Sequence, residues 1–147
     1  MTNVYAVKDI DFGISLKGRN SDREEDFAMV SGMETFTVSF SGGMDEWQPI
    51  DQKGWRKRLL TTKSITIGLS GKRVFGCAGN DYVAGLAYQM GESTQTVLRA
   101  KFPGGDELFM PCTINVNSAG GGGAADVAVL EFDCLSDGAP LYTKGGN

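Results

Sequence analysis

Two alternating runs and the long stretch joining them constrain this chain most. In TFTVSF, residues 35–40, Phe36, Val38 and Phe40 alternate with Thr35, Thr37 and Ser39. In KSITIGLS, residues 63–70, Ile65, Ile67 and Leu69 alternate with Ser64, Thr66 and Gly68. A period of two sends successive side chains to opposite faces of a pleated strand, so each run reads as a strand with one dry and one wet face. Together they predict a hairpin. Its connection, residues 41–62, far exceeds the ~2–5 residues usual for hairpins, and structureless loops beyond ~12–15 residues are uncommon inside compact domains. The connection also carries Trp47, Ile50, Trp55, Leu59 and Leu60. Apolar residues on a projecting loop need a surface to bury against. The alternative is that the loop folds back on its own domain.

Downstream, GNDYVAGLAYQMG, residues 79–91, predicts a helix. Asn80 is placed to cap the free N–H groups, Asp81 suits the positive end of the dipole, and Gly91 suits a left-handed stop. Val83, Leu86, Ala87 and Met90 fall at i, i+3, i+4 and i+7, a face that packs on a sheet. Three more strands follow: QTVLRAKF, DELFMPCTINVN and ADVAVLEFDCLS. The second sets Leu108, Met110, Cys112, Ile114 and Val116 against Thr113, Asn115 and Asn117; the third sets Leu130, Phe132 and Cys134 against Glu131 and Asp133. SAGGGGAAD between them lacks the GK[ST] ending and strand-to-helix setting of a phosphate loop, and reads as a hairpin tip. The predicted fold class is mainly β, an antiparallel β-sandwich or partial barrel with one flanking α-helix, extended arms and a loop.

With 147 residues the chain has the length of one domain. Residues 1–33, glycine-bearing and charged, read as an N-terminal arm with one short strand around Phe12 to Leu16; residues 34–147 form the domain, with 41–62 projecting. The opening MTNVYAVKDIDFG has no basic region followed by an apolar one, and no run approaches the ~20 apolar residues of a membrane span, so neither a leader nor membrane insertion is expected. There is no histidine, and the three cysteines Cys77, Cys112 and Cys134 show no CxxC spacing. Zinc, a disulfide framework and histidine-based acid–base chemistry are therefore disfavoured. Buried free thiols, no cofactor and no enzymatic activity are expected.

The net charge of -4 hides a segregation: residues 1–51 hold ten acids and four bases, 52–101 two acids and nine bases, and 102–147 six acids and one base. Either this is chance clustering on a solvated surface, or a basic patch around Lys53, Arg56, Lys57 and Arg58 meets an acidic patch on a neighbouring copy.

The order of these pieces is more specific than any one of them: a strand, a long loop ending GWRKRLLTTKS, then ITIGLSGKR, the GNDYVAGLA helix, FPGG, and a glycine-rich tip before DVAVLEFDCLSDGAP. From Glu34 to Tyr142 this resembles the phage tail tube (major tail) protein family. The resemblance implies a β-sandwich flanked by a helix, hexameric rings stacked head-to-tail into a hollow tube, and passage of DNA through it without specific binding. It implies that the loop, through Trp47, Ile50, Lys53, Trp55, Arg56, Lys57, Arg58 and Leu59, reaches the next ring. The lumen would be faced by Thr35, Thr37, Ser39, Ser64, Thr66, Thr113, Asn115, Asn117, Glu131 and Asp133. Implied partners are further copies of the chain and tape measure, tail terminator and distal tail proteins; the implied location is a virion tail assembled in the cytoplasm of a bacterial host. Residues 1–33 have no counterpart in the resemblance. The inner tube of a contractile tail or a bacteriocin-like particle is an alternative, as is a monomeric β-sandwich carbohydrate-binding or decoration module with Trp47 and Trp55 as a stacking platform.

Overall fold

A computed structural model describes residues 4–20 and 26–145. Its strands are β1 (Asp11–Ser15), β2 (Phe27–Ala28), β3 (Met33–Trp47), β4 (Lys57–Lys72), β5 (Gln95–Lys101), β6 (Glu107–Ala119), β7 (Val129–Ser136) and β8 (Leu141–Thr143), with one helix, α1 (Ala78–Gly85). All strands belong to one antiparallel sheet ordered β2-β1-β5-β6-β7-β4-β3, and β8 pairs with the start of β6. Of the expected β-sandwich or partial barrel, the structure takes the second form: a single antiparallel sheet that curls on itself. β1 and β3 lie near opposite ends of the strand order, yet the Phe12 and Phe36 rings stand 5.2 Å apart. Alternation gives each strand a dry face, which two stacked sheets or one closing sheet can bury equally well. The order of pairing decides between them, and it is non-local.

The dry faces converge inside the curl. Ile14, Ile67, Leu98, Met110 and Phe132 are fully enclosed, and Val83, Ala84 and Leu86 close the core from the helix side. Side chains of this size each contribute about 1.5–3 kcal/mol on burial. Cys112 and Cys134 sit in the same core as free thiols, whereas Cys77 is partly exposed, against expectation. Cys134 is pushed well up by its hydrogen bond with Cys112 and by burial.

Three sequence expectations change. Residues 1–33 are not an arm throughout: β1 pairs with β5 and β2, and Ile10, Ile14 and Val30 are buried. Residues 1–3 and 21–25 of that expected arm, and 146–147 of the domain, lie outside the described residues. The helix ends early, at Gly85, and passes through a 3-10 turn, Leu86–Tyr88, into extended Gln89. Val83 and Leu86 remain buried, but the change of pitch takes Ala87 and Met90 off the packing face; Met90 is 86% exposed. Gly91, left-handed at φ 77°, leads into a second 3-10 turn instead of stopping the helix.

Asn80 is not the cap either. That position falls to Cys77, which makes no side-chain cap bond. Buried inside the helix, Asn80 donates from Nδ2 to the carbonyls of Ser31 (2.8 Å) and Lys72 (3.0 Å), and its Oδ1 accepts from the Val74 amide and Arg73, both at 3.0 Å. One amide side chain thereby ties the helix to the end of β4 and to the turn between β2 and β3.

The third change matters most for function. Residues 41–62 are not a loop. β3 and β4 continue past the barrel as a two-stranded arm, pairing Ser41 with Ser64, Asp45 with Leu59 and Trp47 with Lys57, and only 48–56 form the connection. Within the arm the ladder slips at Gly43/Met44, besides a slip at the start of β3 between Met33 and Thr35. A β-bulge of this kind bends a strand and strengthens its twist.

Candidate assembly surfaces

Three surfaces stand out. The first is the wet outer face of the sheet. Across the strands, Ser39, Thr66, Leu135 and Thr113 form one row; Thr37, Gly68, Asp133 and Asn115 form the next; Thr35, Ser70, Glu131 and Ser118 form a third, beside the slips between Met33 and Thr35 and between Val116 and Ser118. Asn117 donates to Asp133 (3.1 Å), Asn115 donates to Asn117 (3.3 Å), and Ser70 donates to Glu131 (3.4 Å). Gly68 makes room: a Cβ there would stand 2.8 Å from Thr37 Oγ1 and 3.2 Å from Asp133 Oδ1. The ten positions expected on the lumen therefore do share one face, with Ser64 at its margin beside the arm. From 35 to 41, 64 to 70, 113 to 117 and 131 to 135 this face carries no Lys or Arg.

The second surface is the arm. Trp47 is 47% exposed and Trp55 77%, and Met44, Ile50, Leu59 and Leu60 are also exposed. Alternation puts Trp47 and Leu59 on one face, Met44 and Leu60 on the other. The tip is shaped from within: Lys53 adopts a left-handed φ of 56°, its N–H bonding Ile50 O at 3.3 Å, the Trp55 amide bonds Gln52 O at 3.1 Å, and Gln48 Nε2 bonds Gly54 O at 3.0 Å. At the root, a Cβ on Gly42 would meet Leu60 Cδ1 at 2.7 Å, so a larger residue there would push the Leu60 side chain aside.

The basic cluster is not what its composition suggests. Arg58 donates from Nε to Glu46 Oε1, directly across the ladder, and Arg56 stands 3.9 Å from the same oxygen. The Arg58 hydrogen bond, opposed by desolvation and helped by the charges of Arg58 and Arg56, holds Glu46 below the usual carboxylate range. Two of the four cations thus pair with one of the arm's own acids, Glu46, and no ion pair is seen for Lys53 or Lys57 among the described residues.

The third surface is a groove of about 770 Å³ at the root of the arm, lined chiefly by Val38, Phe40, Ile65, Leu108 and Tyr142. Val38 and Phe40 were expected inside the sandwich; both are exposed, Phe40 by 64%, because the core ends near Ile65 while β3 runs on. Lys63 lies over the Phe40 ring at 5.5 Å. On the opposite wall Asp106 accepts from the Tyr142 hydroxyl and the Gly145 amide, both at 2.6 Å. The hydrogen bond from Tyr142 does most to hold Asp106 low, and the same bond pushes Tyr142 up. Sequence reasoning missed this groove. Its lining comes from four separate strands, and the only local signal was one residue too many in the dry alternation of β3. Among the described residues, no group of His, Cys, Asp or Glu is arranged to hold a metal ion.

No protein-family model matches the chain, and no curated protein matches it in sequence. Solved structures do match in fold. A chain from the tail of an empty gene transfer agent particle, determined with C6 symmetry, superposes with a TM-score of 0.71 at 23% identity, covering 95% of this chain and 99% of its own. A chain from the virion of a native gene transfer agent particle superposes with a TM-score of 0.69 at 22% identity over the same shares. The curled sheet, the flanking helix and the long arm are thus the fold of a chain found in a gene transfer agent tail.

Proposed function

We propose that this chain is a structural subunit of a phage-type tail, which associates with copies of itself into stacked rings enclosing a channel for DNA. The observation that carries this is the fold match, end to end, to a chain of a tail solved with sixfold symmetry. The three surfaces are consistent with it. An outer face of hydroxyls, amides and two acids, free of Lys and Arg over its centre, suits a wall that DNA slides past, since each cation on phosphate adds affinity through counterion release. An arm with exposed tryptophans at one end suits a contact to the next ring. Such a head-to-tail contact joins two different surfaces, so it propagates instead of closing. In this reading the rings are hexameric and further tail proteins terminate the stack.

Electron microscopy of the purified protein over a range of concentrations tests the reading, alongside size-exclusion chromatography. Rings or hollow tubes are expected. A monomer that stays monodisperse at every concentration, with or without a nucleating tail fraction, overturns it.

A further inference from the structure

The glycine-rich β6–β7 tip has no role in the surfaces above. It lies at the end of the barrel opposite the arm: β4 enters from the arm at Lys57 and leaves beside Val129, the first residue of β7, where Lys72 pairs with it. The tip, 120–128, is a slender turn closed by bonds from Gly120 N to Val129 O (2.7 Å) and Val129 N to Gly121 O (3.1 Å). Its side chains are small apart from Asp126 and Val127, and Val127 is 63% exposed. At the other end lies the apolar groove, whose lining is wide open in a single subunit. One end is convex and the other concave, and both leave apolar surface in water, which marks contact surfaces.

We propose that the β6–β7 tip of one copy seats in the groove of the next, Val127 entering between Phe40 and Leu108 while Asp126 faces Lys63. This rests on the tube reading and adds to it a second axial contact, distinct from the arm. Position singles out this occupant, and so does charge on the Lys63 wall; Asp106, on the opposite wall, already accepts from Tyr142 and Gly145. In a head-to-tail stack the tip end of one copy faces the groove end of another. Among the described residues Lys63 reaches no carboxylate, and its contact there is the Phe40 ring. Asp126 spends one oxygen on the Gly123 amide at 3.0 Å and keeps the other for a cation. The chain's own tip cannot fill its own groove, because the two lie at opposite ends of β4 and β7.

Cross-linking tests the contact in full-length protein carrying Cys77→Ser, which removes the one accessible thiol. Val127→Cys and Phe40→Cys together should give, on mild oxidation of assembled tubes, a ladder of disulfide-linked chains running past the size of one ring, with none in unassembled subunits or in either single variant. Val127→Asp alone should raise the concentration needed for tube growth about tenfold or more, since it carries a charge into an apolar groove, and should leave subunit melting unchanged. Tubes from the double-cysteine variant without a ladder, or a ladder that stops at one ring, overturn the proposal and leave the tube reading standing. Normal growth of Val127→Asp does the same. Wild-type protein that never forms tubes overturns both.

Discussion

Asn80 shows how much one residue can fix. All four of its hydrogen bonds join the helix to strand ends, and the side chain is buried. Removing it leaves buried carbonyls and amides without partners, at ~1–3 kcal/mol each where water cannot replace it. Asn80→Ala should lower unfolding stability by about 2–4 kcal/mol in a denaturant titration, with the m-value unchanged. Glu46 makes the opposite case, an exposed residue whose effect is local. Its folded pKa is depressed, so what the Arg58 pair adds to arm order is present above the unfolded carboxylate pKa and lost as pH falls through the folded one. Amide protection over 44–59, taken relative to the intrinsic exchange rate at each pH, should therefore fall below the ordinary carboxylate range in wild-type protein and change little across that range in Glu46→Gln. Thiol labelling supplies a third check. Cys77 should react first, and Cys112 and Cys134 only on global unfolding, being buried in the core; three thiols reacting together in the native protein would contradict the packing.

Among the elements, the arm was the least legible in sequence, for a physical reason. Its strands are wet on both faces, so no dry period of two marks them, and Gly42, Gly43 and the bulge interrupt what alternation there is. The barrel segments of β4, β6 and β7 were legible because burial on one side enforces the pattern, while β3 keeps the alternation although, of Phe36, Val38 and Phe40, only Phe36 packs against the core. The helix was legible in place but not in extent, since Ala87 and Met90 keep the spacing of a stripe that the backbone abandons after Gly85. Of the candidate residues, the polar face could be read off as a set, while the groove needed the fold. The arm also makes a clear prediction. Trp55 is largely exposed, so Trp55→Ala should change subunit stability by no more than ~0.5 kcal/mol. If the arm is the stacking contact, the same change should abolish tubes, because an aromatic anchor buried at an interface commonly contributes ~2 kcal/mol or more. Tubes of normal length from Trp55→Ala would assign stacking to other surfaces.

For the whole molecule, charge separates contact from passage. The wet face offers acids and amides, whereas Lys53, Lys57 and Lys63 lie on the arm and at its root. Assembled protein should accordingly retain little duplex DNA, with a shallow dependence on salt; tight retention that falls steeply with salt would mean the cations line the channel. β4 also has a mechanical consequence. It runs unbroken for 16 residues from the arm to the far end of the barrel, roughly 50 Å at strand rise. In a stack joined through the arm, an axial pull would enter β4 near the tip and leave beside the α1 end of the next contact without crossing a loop. The ladders to β3 and β7 on either side would be loaded along their length, many hydrogen bonds sharing the force at once, instead of being peeled one by one. Each subunit would then act as a tendon held in a rigid sleeve.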